Sequence, residues 1–382
     1  MSEAPPAEAK IHSDRRLPAL TGLRIFAALA VYFSHVGVPH NAPKVLATFM
    51  EAGYAGVTIF FVLSGFVLAV NYFRQMTSLH IVPAYNYFIA RIARVYPLYV
   101  LLLFYFVVSM HAHGESVTGW WQNLLVIQTW SPDIARAYSF DAPSWSVSVE
   151  FFLYACFPLL IPLFARLRSV RSILTAAGVV TAAMFALTAW FALSGKGHLS
   201  MLDPASAHRW LYRTPLTRLG DFALGILAAQ LFTLTRSDPR VERWSRRLAP
   251  ACAVLIVALM CWPTLFFTAW SWDFAYAIPG VVLIFALAAA PAGWLAKLLS
   301  IGAIVLLGEA SYAFYLVHDP AISFFGAGIW TTSVTPTIVL LEALNLGFVL
   351  ALAVGLHYTI ELPARKKLRR LLTISQSRMQ RK

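Results

Sequence analysis

Apolar runs of about 17 to 25 residues recur along this chain, each long enough to cross a hydrocarbon layer about 30 Å thick as a helix. Clusters of Arg, Lys, Pro and Asp separate them. Of the 382 residues 59% are hydrophobic and only 12% are charged, too few polar side chains to coat a soluble globule. The expected fold class is therefore an all-α polytopic membrane protein of about ten transmembrane helices. They are placed over residues 20–38, 55–74, 95–112, 145–165, 172–194, 214–234, 250–267, 275–291, 309–329 and 335–358. The eighth and ninth are the least firmly bounded, because the run from Leu295 to Leu307 also reads as a separate or re-entrant segment.

Most of the 30 Lys and Arg fall on the side of the amino terminus, among them Arg74, Arg91, Arg94, Arg166, Arg168, Arg171 and the tail from Arg365 to Lys382. Cytoplasmic loops carry such an excess, so both termini are expected to be cytoplasmic. The same bias, with attraction to anionic lipid, accounts for the net charge of +13, and nucleic acid is not an expected partner. Residues 1–17 read as a disordered leader, residues 18–363 as one transmembrane domain, and residues 364–382 as a basic cytoplasmic tail on the inner leaflet with no catalytic part. Cys156, Cys252 and Cys261 lie inside spans without paired spacing, so neither a disulfide nor a zinc site is expected. The first run is too long for a signal peptide and embeds Arg24, and no small-residue cleavage site follows it.

Ionisable side chains inside apolar runs are where function is sought, because a charge at that depth persists only when partnered or facing a wet cavity. The first run holds Arg24 and His35, about 16 Å apart along a helix, which places His35 near mid-membrane if Arg24 opens the span. Arg91 and Arg94 open the third span three residues apart, on one helix face, and guanidinium forks suit phosphate oxygens. Glu150 enters the fourth span among aromatic residues and needs a cation or hydrogen-bond donor; orienting an imidazole or binding an acceptor hydroxyl are the roles it invites. His318 lies inside the ninth span beside Pro320, and Glu361 closes the last span, where an inner arginine is its expected partner. His111 and His113 at a membrane edge lack a third ligand, so no metal site is expected. The outer segments 113–144 and 195–213 carry Trp120, Trp121, Trp130 and Trp210, which suit interfacial anchors and, through their flat faces, a carbohydrate platform.

These motifs together resemble the bacterial integral-membrane acyltransferase-3 family over residues 18–365. The resemblance rests on Arg24, ten intervening residues and His35 after Leu20-Thr21-Gly22-Leu23, then Phe60-Phe61-Val62-Leu63-Ser64-Gly65-Phe66. It continues through Arg91 and Arg94 before Tyr96-Pro97-Leu98-Tyr99, the run Trp145 to Tyr154 with Glu150, Ser311-Tyr312 to His318, and Glu361 before Pro363. Glu309 and Asp319 depart from the pattern, since relatives carry a basic or polar residue at the first position and an aromatic or apolar one at the second. Many relatives also carry a soluble hydrolase-like domain after the membrane part, and none is expected here.

The resemblance implies a multi-pass protein of the bacterial inner membrane that moves an acyl group, acetyl from acetyl-CoA, to a hydroxyl of a cell-surface or secreted glycan or a lipid-linked sugar. Arg24, Arg91 and Arg94 would then bind the phosphates of coenzyme A from the cytoplasmic side. The catalytic candidates are His35 as general base or as an acylated relay, Glu150 and His318, with Ser64, Ser146 or Tyr312 as oxyanion donors. A transporter or flippase of a lipid-linked sugar or small anion is the competing expectation, since buried Arg, His and Glu also line transport paths. No internal repeat of the kind many transporters carry is visible, which favours the enzyme.

Overall fold

The computed structural model describes residues 17–78, 80–326 and 335–374. Residues 1–16 of the leader lie outside the described part, as do residues 375–382 of the tail and residues 327–329 of the expected ninth span. Among the described residues the secondary structure is helical, with no strand. In chain order the helices are α1 (Pro18–His35), α2 (Lys44–Glu51), α3 (Ala55–Tyr72), α4 (Ile81–Ala112), α5 (Trp120–Leu124), α6 (Ile134–Ala137), α7 (Trp145–Phe164) and α8 (Val170–Leu193). Then come α9 (Pro215–Thr235), α10 (Pro239–Met260), α11 (Phe274–Ala289), α12 (Trp294–Leu299), α13 (Gly302–Glu309), α14 (Ser311–Gly326), α15 (Pro336–Leu356) and α16 (Leu362–Leu372). Wider π-type turns, His208–Arg213 and His357–Glu361, lead into α9 and α16.

Local chemistry sets many of these boundaries. Pro opens α1, α9, α10 and α15, where its missing N–H is not needed and its fixed φ suits the first turn. Ser169 and Ser172 form a reciprocal capping box at the start of α8, and the Thr335 side chain caps α15.

Each of the ten expected spans contains a helix, and five stretches are both long and apolar enough to cross a membrane: Lys44–Gln75, Ile81–Ala112, Ala142–Phe164, Val170–Leu193 and Pro336–Leu372. The others differ for physical reasons. Buried Arg218 and Asp221 interrupt α9, α10 is basic over its first half, and α11 and α14 are short. The run from Leu295 to Leu307 forms two short helices, α12 and α13, packed on α1. The protein is a membrane protein with a dense interior and a lipid-facing rim. The span around α3 is 78% buried inside the protein, whereas that of α8 is 17% buried and turns Val179, Phe185 and Trp190 outward.

At the centre α3 and α9 are pressed together. A Cβ on Gly65 would lie 2.2 Å from the Phe222 carbonyl oxygen, and one on Gly225 would lie 2.1 Å from that of Val62. Glycine at both positions is what lets the two backbones meet. A charged knot ties the same pair to the segment before α11. Arg218 of α9, wholly buried, donates from Nη1 to Asp273 at 2.5 Å and to Asp221 and Thr58 at 3.1 Å each. Its Nε and Nη2 donate to the Tyr212 and Trp272 carbonyls at 2.6 and 2.8 Å.

Candidate active site

A cavity of about 660 Å³ runs into the protein between α1, α3, α4, α7, α14 and the start of α16. Arg24, Arg91, Arg94 and Glu150, which the sequence places on three separate helices, all line it, as do Ser64, Ser146 and Tyr312. Leu17 and Pro18, at the start of α1, mark its mouth; Arg24 lies almost two turns further in.

The arginines are held differently. Arg91 sits among the rings of Tyr72, Tyr87 and Tyr154, at 5.4 to 5.9 Å, and its Nη2 donates to Tyr72 Oη at 3.2 Å. It is a structural anchor as well as cavity wall. Arg24 and Arg94 make neither a hydrogen bond nor a salt bridge to any described residue. Arg365 joins them on the wall, likewise unpaired. The basic tail therefore contributes to the site, contrary to its expected role as a purely surface-bound segment.

Glu150 corrects a second expectation. It accepts a hydrogen bond from Tyr154 and a long one, 3.5 Å, from Ser64, and it faces the arginines. It contacts neither His35 nor His318, so it does not orient either imidazole in this structure. Glu361 is engaged with His357 Nδ1 at 2.9 Å instead of with an arginine, because the wide turn His357–Glu361 brings those two side chains together.

His35 stands at the last residue of α1 and is exposed, rather than midway along the helix. Because the helix begins at Pro18, Arg24 is already well inside, and eleven further residues carry the chain to the opposite end. There His35 meets His318, with ring centroids 5.0 Å apart. His318 is fully buried, on a helix that continues through Pro320. His35 Nδ1 lies 2.8 Å from the Val31 carbonyl and His318 Nδ1 2.7 Å from that of Tyr315. A carbonyl can only accept, so each Nδ1 is the donor and the neutral rings keep Nε2 as a base. His318 Nε2 has no hydrogen-bond partner.

The histidine pair and the arginine cavity are joined by Tyr315, which lines the cavity and packs its ring 5.7 Å from that of His318. Outside the spans, Asp141 is buried with both carboxyl oxygens unpartnered. Burial, and then the nearby Asp319 carboxylate, pushes its pKa well above the usual range.

Four features escaped sequence reading: Arg365, the Arg218 knot, Asp141 and a polar contact beside the histidines. In the last, Tyr32 donates to Glu342 and accepts from Asn345 Nδ2 at 3.2 Å, with its ring 6.3 Å from that of His318. Arg218 with Asp221, and Glu342 with Asn345, each lie three apart in an apolar run, the same signal that singled out Arg91 and Arg94.

The acyltransferase domain profile of the acyltransferase-3 family matches residues 17–360. The chain belongs to the acyltransferase-3 family. It is 33% identical over 325 residues to the acyltransferase MdmB of Streptomyces mycarofaciens, an alignment covering 81% of this chain and 80% of that protein. It is 25% identical over 342 residues to the peptidoglycan O-acetyltransferase OatA of Listeria monocytogenes, covering 82% of this chain and 50% of OatA, so it spans about half the length of that relative. No solved structure matches it. Family membership makes this acyltransferase-3 protein an O-acyltransferase.

Proposed function

We propose that this acyltransferase-3 protein moves acetyl from acetyl-CoA, bound by Arg24, Arg91 and Arg94 from the cytoplasmic side of the bacterial inner membrane, to a hydroxyl of a glycan or lipid-linked sugar. The observation that carries the donor assignment is the set of unpaired guanidiniums on one cavity wall. Four guanidiniums, of Arg24, Arg91, Arg94 and Arg365, share the cavity with only two carboxylates, Glu150 and Glu309, and the phosphates of coenzyme A would balance the excess positive charge. Arg24 and Arg94 repel each other electrostatically.

The thioester end, threaded inward from the arginines, reaches the histidines past Tyr315. His35 Nε2 takes the proton of the acceptor hydroxyl as its oxygen attacks the thioester carbonyl; the C–S bond then breaks, and coenzyme A leaves as the free thiol with that proton returned to its sulfur. His318 supports that base from behind. Glu150, with Tyr154 and Ser64, lies on the donor path and positions the pantetheine arm. Exposure of His35 leaves it open to an acceptor from the opposite side to the mouth. Exposed Trp120, Trp121 and Trp130 offer flat faces on which a sugar can stack.

The test uses purified protein in nanodiscs with radiolabelled acetyl-CoA. Wild type is expected to bind the label, Arg24→Ala and Arg94→Ala to weaken binding about tenfold or more each, and His35→Ala to bind normally but transfer nothing. Label that stays covalently bound in wild type and vanishes in His35→Ala would favour an acylated histidine over direct transfer. Folded wild type that binds no acetyl-CoA would overturn the donor assignment and point to a different acyl donor.

A further inference from the structure

Arg365 stands at the cavity mouth with Leu17 and Pro18, on a helix that the protein takes trouble to dock. Basic α16 packs along α4, and beyond its end the Asn86 side chain of α4 grips both backbone groups of Ile374. Asn86 Nδ2 donates to the Ile374 carbonyl at 3.0 Å, and the Ile374 N–H donates to Asn86 Oδ1 at 2.9 Å. A basic helix merely adsorbed on lipid needs no such clasp. The clasp fixes where Arg365 points.

The charges around Arg365 are Arg94, Arg91 and Arg369, with Glu361 as the one acid among them. Glu361 is already engaged by His357 at 2.9 Å. Adding a further guanidinium to such a wall is uphill unless a second anionic group is bound there. Coenzyme A has one to offer, the monoester phosphate on the ribose 3′-oxygen, at the far end of the molecule from its thioester. With the thioester directed inward to Tyr315, that phosphate lies outermost, at the mouth.

We propose that Arg365, with Arg369 one turn further on the same face of α16, forms the subsite for the ribose 3′-phosphate and makes the protein distinguish coenzyme A from 3′-dephospho-coenzyme A. The inference rests on the donor assignment above.

Competition against radiolabelled acetyl-CoA in nanodiscs, with unlabelled coenzyme A and 3′-dephospho-coenzyme A as probes, tests it without knowledge of the acceptor. Wild type is expected to bind coenzyme A about tenfold or more tighter than the dephospho form, the range for a charge-assisted contact. Arg365→Ala is expected to bind both alike, at the wild-type affinity for the dephospho form, and Arg365→Lys to keep part of the preference. Equal wild-type affinity for the two probes overturns the subsite and leaves the donor assignment standing. Weakening of both probes by the same factor in Arg365→Ala, with the melting temperature kept, also overturns it, since α16 would then act only as a structural clasp. Wild type that binds neither probe overturns subsite and donor assignment together. The wild-type comparison and the lysine variant keep the outcome decisive even if the alanine variant fails to fold.

Discussion

His208, in the turn before α9, is buried beside Trp272, with Tyr138 Oη 3.3 Å from its Nε2. Burial, and then the nearby Arg213 and Arg218, lower its pKa from the usual value to about 3. Unfolded chains therefore bind a proton that the folded protein refuses, so its contribution is complete above about pH 6.5 and is lost as pH falls toward 3. At pH 5 the loss is about 2 kcal/mol. Thermal melts in detergent at pH 7.5 and pH 5 are expected to show this acid sensitivity in wild type and a reduced slope in His208→Asn; an unchanged slope would assign the sensitivity elsewhere. At this scale the candidate site was largely legible, because Arg24, Arg91, Arg94 and Glu150 stand out as charges in apolar sequence and the structure gathers all four on one cavity. What sequence could not give was pairing. Whether a buried cation is satisfied, as Arg218 is by Asp221 and Asp273, or unsatisfied, as Arg24 is, depends on residues distant in the chain.

Helices were legible by the same apolar lengths, and their junctions were not. The contact of α3 with α9 is made by two glycines that look ordinary in sequence. Gly65→Ala is expected to force the backbones apart and lower stability by about 1–3 kcal/mol, read as a drop in melting temperature. A wild-type melt would mean that the helices slide without loss. Arg218→Met should be harsher, about 3–5 kcal/mol, because it leaves Asp221 and Asp273 buried without their cation. Adding Asp221→Asn to that variant is expected to recover part of the loss, which separates the charge from the shape of the side chain. Helix ends explain why His35 was misplaced. Counting from Arg24 as the start of the span puts it at mid-depth, whereas a helix from Pro18 to His35 makes it terminal.

Over the whole molecule the arginines and the histidine pair belong to opposite ends of α1. Leu17, Pro18 and Arg365 share the cavity mouth, and α1 then runs its full length before His35 emerges exposed beside His318. A transfer reaction needs this separation if donor and acceptor come from different sides, since the donor's arm can then span the protein while its phosphates stay at the entrance. By positive-inside bias Arg365 and the basic helix α16 are expected to face the cytoplasm, and His35 the opposite side. Single cysteines make this testable after the native Cys156, Cys252 and Cys261, all free thiols, are replaced. In intact cells, a membrane-impermeant maleimide is expected to label His35→Cys and to spare Lys367→Cys on exposed α16, with the pattern reversed in inside-out vesicles. Labelling of both positions from one side would place donor and acceptor entrances together and remove the need for Tyr315 as a passage. Labelling in the opposite sense would invert the protein, taking the arginine mouth away from the compartment where acyl-CoA is made. The expected pattern ties the arginine mouth to the cytoplasm and the exposed imidazole to the acceptor side, so the direction of acyl transfer follows from the direction in which α1 crosses the membrane.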